Sequence, residues 1–113
     1  MASRAANAPD LLPGTLEMLI LRTLVGGSEH GFGIARRLRT VSEDVLQVGE
    51  GSLYPALQRL LASGLVKAEW RLTDNNRRAR YYALTAAGKK QLEADSAEFD
   101  RMVRAIRRVM QMA

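Results

Sequence analysis

The sequence predicts a mainly α-helical fold with one small β-hairpin, and three features of its pattern lead to this α+β class. Apolar residues recur at helical spacing in four separate stretches. Two short segments rich in β-forming residues flank a polar turn, between the third stretch and the fourth. The fourth stretch is much longer than the others. Three helices, a hairpin and a long last helix together predict a winged helix-turn-helix with an appended C-terminal dimerisation helix.

The first part of the chain contains an arm and two predicted helices. Residues 1–10 are Ala-rich and polar, and we expect them to form a flexible N-terminal arm. The first helix is predicted from about Thr15 to Val25, where a Gly-Gly pair ends it. The second helix is predicted from about Gly31 to Ser42. The residues expected to face inward from this second helix are Ile34, Leu38 and Val41.

The third predicted helix, from about Gly51 to Ser63, has one apolar face and one polar face. Pro55 fits in its first turn, where few backbone donors are needed, and Gly64 is a natural left-handed stop. The apolar face consists of Leu53, Leu57, Leu60 and Leu61. The polar face carries Ser52, Tyr54, Gln58 and Arg59. A helix with these two faces fits the major groove of duplex DNA, with polar reach to the adjacent phosphates.

A β-hairpin is predicted after the third helix. Its strands are Val66 to Leu72 and Arg80 to Leu84, and both are rich in β-forming residues. The polar segment from Thr73 to Arg78 supplies Asp and Asn for the turn. Trp70 lies on the first strand, where an aromatic side chain most often belongs to the core.

The last predicted helix, from about Ala86 to Met112, carries an apolar seam. The seam residues are Leu92, Phe99, Val103, Ile106 and Met110, at heptad-like spacings of seven, four, three and four, with Ser96 as the one polar member. This is too much apolar surface for a monomer of this size, so we expect a homodimer paired through the seam. The predicted organisation is an arm at 1–10, a winged helix-turn-helix domain at 11–85 and a dimerisation helix at 86–113.

Composition excludes several classes of function. The chain has 113 residues, no cysteine and one histidine, which predicts a single small domain without disulfides, thiol catalysis or a zinc site. No glycine-rich phosphate loop follows a strand, so we expect neither an enzyme nor a cofactor. No apolar run is long enough to cross a bilayer and no signal peptide is visible, which predicts a cytoplasmic protein without a membrane partner. The net charge of +5 favours polyanionic partners.

The arginines concentrate where a nucleic acid would contact this fold. Arg77 and Arg78 are predicted at the hairpin tip, where a side chain has nothing to pack against, and Arg80 follows them. Arg36 and Arg37 lie on the second helix, where a solvated helix face is the alternative interpretation. The predicted DNA-binding residues are therefore Ser52, Tyr54, Gln58, Arg59, Arg36, Arg37, Arg77, Arg78 and Arg80.

The order and spacing of several motifs resemble the PadR family of bacterial transcriptional regulators. The resemblance covers roughly residues 11 to 112 and suggests the short subfamily with a single C-terminal helix. It rests on GTLEMLIL at Gly14–Leu21, HGFGI at His30–Ile34, GSLYPAL at Gly51–Leu57, Gly64–Leu65, Trp70, Arg77–Arg78, Tyr81–Tyr82 and LTAAG at Leu84–Gly88. Two positions depart from the family pattern. Phe32 stands where many members have Tyr, a change expected at the packing of the second helix, and Ala79 interrupts the basic run of the wing.

The resemblance implies a repressor that binds double-stranded operator DNA as a homodimer at an inverted repeat, often beside genes for efflux or detoxification. It also implies release by a small hydrophobic or aromatic effector at the dimer interface, where Phe99 and Ser96 would line the site. The alternative is that Phe99 only fills the dimer core. A winged helix that binds RNA or another protein, without ligand sensing, is the competing function.

Overall fold

A computed structural model of the chain describes residues 14–113, and the predicted arm at residues 1–10 lies outside that range. Four helices and an antiparallel sheet confirm the predicted α+β class. In chain order, the elements are α1 (Thr15–Thr23) with a 3-10 turn (Leu24–Gly26), β1 (Glu29–His30), α2 (Gly31–Val41), α3 (Glu50–Ala62), β2 (Val66–Leu72), β3 (Arg78–Leu84) and α4 (Ala86–Met110). Among the described helices, none is long and apolar enough to cross a membrane.

The sheet has three strands in the order β1-β3-β2, whereas the sequence predicted only the β2-β3 hairpin. The additional strand β1 is two residues long, too short to show an alternating pattern, and it pairs antiparallel with Tyr81 and Tyr82 of β3. Strand β3 also begins two residues earlier than predicted. The turn therefore closes at Arg77, whose carbonyl accepts a 2.7 Å hydrogen bond from the Thr73 N–H. Arg78 consequently lies on the strand and not at the tip.

The core lies where the three short helices meet the base of the sheet. The predicted apolar face of α3 is confirmed, because Leu53, Leu57 and Leu60 are buried and Leu61 packs beside them. The other buried apolar side chains of the core are Leu16, Ile20, Leu21, Leu24, Ile34, Leu38, Ala56, Val66 and Tyr82. The prediction that Val41 faces inward was wrong, because its side chain is 72% exposed. Helix α2 ends at this residue, and the chain then turns away from the core.

The start of α4 is joined tightly to the rest of the fold. The Thr85 hydroxyl accepts a 3.0 Å hydrogen bond from the Gly88 N–H and donates a 2.8 Å bond to the Gly64 carbonyl. A Cβ atom at position 88 would collide with the Leu65 carbonyl oxygen, so only glycine allows this approach. Of the 25 residues of α4, Gly88 is the only buried one. Beyond this junction the helix packs mainly against α1, with Leu92 partly against the core, and the remaining length projects from the core.

Candidate nucleic-acid interface

A cleft separates α3 from the wing, which we define as the β2-β3 hairpin at residues 66–84. The start of α2 closes one side of this wing cleft. Its lining combines hydrogen-bonding, cationic and aromatic side chains. They include Phe32, Tyr54, Gln58, Trp70, Arg78 and Arg80.

The strand register explains why these wing residues share the cleft. Trp70 is directly opposite Arg80, and Leu72 is directly opposite Arg78. Residues that face each other across an antiparallel pair point to the same side of the sheet. On this side of the sheet, Val66 at the base of the wing is buried in the core. Farther along the hairpin, the same side of the sheet extends beyond the core. The distal residues therefore face solvent above α3.

Trp70 was expected in the core, and the structure contradicts that expectation. Its side chain is 58% exposed, because it lies on the part of the wing that extends past the buried cluster. The guanidinium of Arg78 lies 5.1 Å from the Trp70 ring centre, which is a cation–π distance. Phe32 was expected at the packing of the second helix but is 67% exposed, at the other side of the same cleft.

Arg80 is the innermost cation of the wing cleft. Its Nε atom is shielded from solvent and has no hydrogen-bond acceptor among the described residues. A buried donor left in this state destabilises the fold by about 1–3 kcal/mol. Tyr82 lies beside it, and burial raises the pKa of the Tyr82 phenol although Arg80 opposes that effect. The phenol therefore stays neutral and does not compete with an anion for the arginine.

Tyr54 is positioned by the start of α2. Its ring lies directly over Gly31, where an added Cβ would approach the Tyr54 hydroxyl oxygen to 2.8 Å. The start of α2 is in turn set by His30, whose Nδ1 accepts a 3.1 Å hydrogen bond from the Gly33 N–H. His30 also belongs to β1 and so connects α2 to the wing. This capping and bridging role of the histidine was not foreseen from the sequence.

The predicted polar face of α3 divides into two parts. Tyr54 and Gln58 line the wing cleft. Ser52 and Arg59, seven residues apart and thus on one stripe of the helix, are also exposed. The Arg59 Nε atom lies 2.6 Å from a carboxylate oxygen of Glu17 on α1, so this guanidinium forms an ion pair within the chain.

The two arginines predicted to bind DNA from α2 lie on different sides of that helix. Arg36 lies over the Phe32 ring at 5.6 Å and, with Gly49, lines the hollow between α2 and the start of α3. Arg37 lies on a different side of α2, in a hollow shared with Val25 and Val41. The structure thus brings Arg36 close to Tyr54 but places Arg37 away from it.

The predicted apolar seam of α4 forms a stripe along the helix. Phe99 is 44% exposed, Ile106 51% and Met110 77%, whereas Val103 is half-buried among its neighbours. Ser96 is exposed on the same stripe. Leu92 differs from the others, because it packs partly against the core of its own chain.

Comparisons with known proteins agree with this architecture. Residues 20–94 match the family described as the transcriptional regulator PadR-like family. Transcriptional regulator Rv3488 of Mycobacterium tuberculosis is 33% identical over 87 residues, which make up 77% of this chain and 78% of that protein.

Two solved structures are similar over most of their length. A transcriptional regulator from Clostridium thermocellum has a TM-score of 0.77 and 25% identity, covering 84% of this chain and 92% of that one. A PadR family transcription regulator from hypervirulent Clostridium difficile R20291 has a TM-score of 0.74 and 27% identity, covering 86% and 99%. These similarities confirm the predicted winged helix-turn-helix class.

Proposed function

Because the chain belongs to the PadR-like family of transcriptional regulators, we propose that it binds an inverted-repeat operator as a homodimer and represses transcription. The observation that carries the proposal is the wing cleft. In it, an exposed face of α3 and the inner face of an arginine-bearing wing converge on a space open to solvent. This arrangement suits a DNA backbone that passes between a helix in the major groove and a flanking wing.

The chemistry of the cleft suits phosphate. Arg80 lines the cleft, and Arg78 offers a cation held over an aromatic ring. Guanidinium groups bind phosphate oxygens through charge-assisted hydrogen bonds, which are stronger than those between neutral groups. Tyr54 and Gln58 add neutral donors from α3 on the opposite side of the cleft. A phosphate between the two sides would set the depth at which α3 enters the groove.

The homodimer is supported by the exposed stripe of α4. Phe99, Ile106 and Met110 expose large apolar side chains on a helix that projects from the core. Pairing two such helices removes this surface from water and fixes two copies of α3 relative to each other. In a two-fold dimer, the copies of α3 would enter successive major grooves about 34 Å apart, which requires an inverted repeat.

Release by a small effector is the regulatory part of the proposal. A flat hydrophobic compound that stacks on Phe99 between the two copies would alter the angle between them and the spacing of the two α3 helices. Ser96, one turn before Phe99, leaves space beside the ring because its side chain is small. A compound that binds this altered dimer more tightly than the operator-bound dimer would lower the affinity for DNA.

Footprinting on the DNA upstream of its own gene tests the proposal most directly. We expect one protected inverted repeat, and fluorescence anisotropy should then show tight binding to a duplex that carries it. Inserting about five base pairs between the half-sites turns one of them to the opposite face of the duplex and should abolish tight binding.

A competition experiment distinguishes the proposed DNA-binding function from the alternative RNA-binding function. Unlabelled operator should displace the probe at a much lower concentration than structured RNA at the same moderate salt concentration. Equal competition by RNA, together with the absence of any protected repeat, would favour the RNA-binding alternative.

A further inference from the structure

The hollow that Arg37 shares with Val25 and Val41 lies between the C-terminal halves of α1 and α2 and has a volume of about 420 Å³. We call it the α1–α2 hollow. Its lining includes Leu19, Arg22, Val25, Arg37, Val41 and Leu46. Helical spacing explains the set, because Leu19 and Arg22 are three residues apart on α1, and Arg37 and Val41 are four apart on α2. Each helix therefore places one arginine and one aliphatic side chain at the same space.

The apolar part of the hollow is aliphatic. Leu38 at its base is buried in the core, whereas Val25 and Val41 are exposed. Leu46, in the connector between α2 and α3, is half-buried. Among the described residues that line the hollow, none is aromatic, so the lining has no ring on which a flat ligand could stack. An alkyl chain fits this lining better, because it would cover the two valines and remove their surface from water.

The charge of the hollow is positive. Among the described residues of its lining, the charged side chains are Arg22 and Arg37, and no carboxylate accompanies them. Neither arginine forms an ion pair with another residue of the range 14–113. Asp44, in the adjoining connector, is held by Arg39 at 3.1 Å. Two guanidinium groups beside an apolar floor favour an anionic head group, and a carboxylate can accept two hydrogen bonds from one guanidinium.

The hydroxyl groups of the hollow already bond within the chain. The Thr23 hydroxyl donates a 2.9 Å hydrogen bond to the Leu19 carbonyl. The Ser42 hydroxyl donates to the Arg39 carbonyl at 3.2 Å and accepts from the Leu46 N–H at 2.9 Å. A ligand with many hydroxyl or amide groups would leave several of them without partners, which is unfavourable in an apolar site. The lining therefore suits a ligand with one anionic head group and an otherwise apolar body.

We propose that the α1–α2 hollow binds a medium-chain aliphatic carboxylate. The head group lies between Arg22 and Arg37. The alkyl chain covers Val25 and Val41. The volume of the hollow, about 420 Å³, lies within the usual range for small-molecule sites. The site is contained in one chain and is separate from the space beside Phe99, so it requires neither the homodimer nor an aromatic ligand.

The connector gives this site a route to α3. Glu43 and Asp44 both adopt left-handed backbone conformations, with φ of 53° and 70°, which residues other than glycine rarely adopt. A ligand that contacts Leu46 also contacts this strained segment, three residues before Gly49 at the start of α3. Binding should therefore change the placement of α3 and the affinity for the operator. This consequence rests on the proposed function, whereas the ligand site itself does not.

NMR of the methyl groups, with octanoate as the probe, tests the site on the full chain. We expect saturable shifts of the signals of Val25, Val41 and Leu46, while those of Val45, exposed outside the hollow, stay unchanged. Hexanoate should bind about tenfold more weakly, because it buries two fewer methylene groups. Octanol, which lacks the charge, should also bind about tenfold more weakly. Equal binding of octanoate and octanol would overturn the role of the arginines.

Matched variants locate the ligand. Arg37→Gln should weaken octanoate binding about tenfold, whereas Lys90→Gln, which removes one charge from the exposed start of α4, should bind like the natural chain. Val41→Asp should abolish binding, because it places a carboxylate beside the head group and removes apolar surface. Val45→Asp adds the same charge outside the hollow and should have no effect. Octanoate binding that is equal in Val41→Asp and the natural chain would overturn the site.

Operator binding separates this site from the proposed function. Saturating octanoate should change the operator affinity, measured by anisotropy, about threefold or more in the natural chain but not in Val41→Asp. An unchanged affinity would uphold the site and overturn its coupling to α3. Octanoate binding by a chain that binds no operator would support the site while contradicting the proposed function. A lower mass of Arg37→Gln in light scattering would identify the hollow as a contact between copies of the chain and would overturn the ligand site.

Discussion

The guanidinium of Arg78 stacks on the ring of Trp70 at 5.1 Å on the inner face of the wing, one residue past the turn that holds Arg77. The contact restricts the arginine before any partner binds, and an ordered side chain loses less conformational entropy on binding. Arg77 is exposed at the turn. Two adjacent arginines therefore differ, one prearranged toward the cleft and one at the tip of the wing.

Replacing both Arg77 and Arg78 with Ala should weaken operator binding for all sequences. Each lost phosphate contact removes about 0.9 of a released counterion, so the slope of log affinity against log salt should become shallower by about one to two units. Fluorescence anisotropy at several salt concentrations measures this slope. The control Arg22→Ala with Lys90→Ala removes the same charge from α1 and α4. An unchanged slope in the wing variant would exclude the wing from the interface.

Removing two hydroxyl groups from α3 should weaken binding without unfolding the chain. Ser52→Ala with Tyr54→Phe keeps the Tyr54 ring over Gly31 but deletes both donors. The affinity should fall about fivefold to 150-fold, since each neutral hydrogen bond contributes about 0.5–1.5 kcal/mol. Ser63→Ala, at the other end of α3, is the matched control. If both variants bind equally well in an anisotropy titration, these hydroxyls do not contact DNA.

Ile106→Asp should abolish both the dimer and operator binding. It places a carboxylate within the apolar stripe of α4, where pairing would bury it without a partner at a cost of several kcal/mol. Light scattering gives the mass in solution, and anisotropy gives the affinity. Ala105→Asp adds the same charge to the adjacent outer surface and should remain a dimer. A dimeric Ile106→Asp chain would show that the stripe is not the interface.

Phe99→Ala distinguishes a sensing role from a packing role. If Phe99 is a platform for an effector, the variant should still bind the operator but should no longer respond to compounds that release the natural chain. If Phe99 only fills the dimer core, the variant should form a less stable dimer. Compounds that release the natural chain from the operator should still release the variant. A screen of flat hydrophobic cations and phenolic acids, scored by operator release, makes the distinction. The absence of any active compound would favour a repressor controlled by its own abundance.

Gly88→Ala should destabilise the junction between α4 and the sheet. The new methyl group would meet the Leu65 carbonyl oxygen and the Leu84 side chain, and overpacking of this kind costs about 1–3 kcal/mol. Thermal unfolding at a fixed protein concentration measures the loss. Gly51→Ala is the opposite control, because open space surrounds position 51 and an alanine inside a helix stabilises by about 0.5–1 kcal/mol. If Gly88→Ala is as stable as the natural chain, the close approach of position 88 to the Leu65 carbonyl oxygen would be contradicted.

The sequence by itself determined the helices, the hairpin and the apolar faces, because these depend on residues near one another in the chain. The periodicity of Leu53, Leu57 and Leu60 predicts the buried face of α3, and the structure confirms it. The seam of α4 was visible for the same reason. Its role in pairing stays a prediction, because one chain does not contain the surface that would cover it.

Only the tertiary structure decided which polar side chains face the wing cleft. Arg59 looks like a free cation in the sequence, but its ion pair is with Glu17, 42 residues away. Trp70 has the pattern of a core aromatic, yet its strand extends past the core and exposes it. Strand β1 exists only through its pairing with β3, which lies far along the chain. Local patterns specify which face of an element is apolar, whereas the contacts of its polar side chains depend on how the elements pack together.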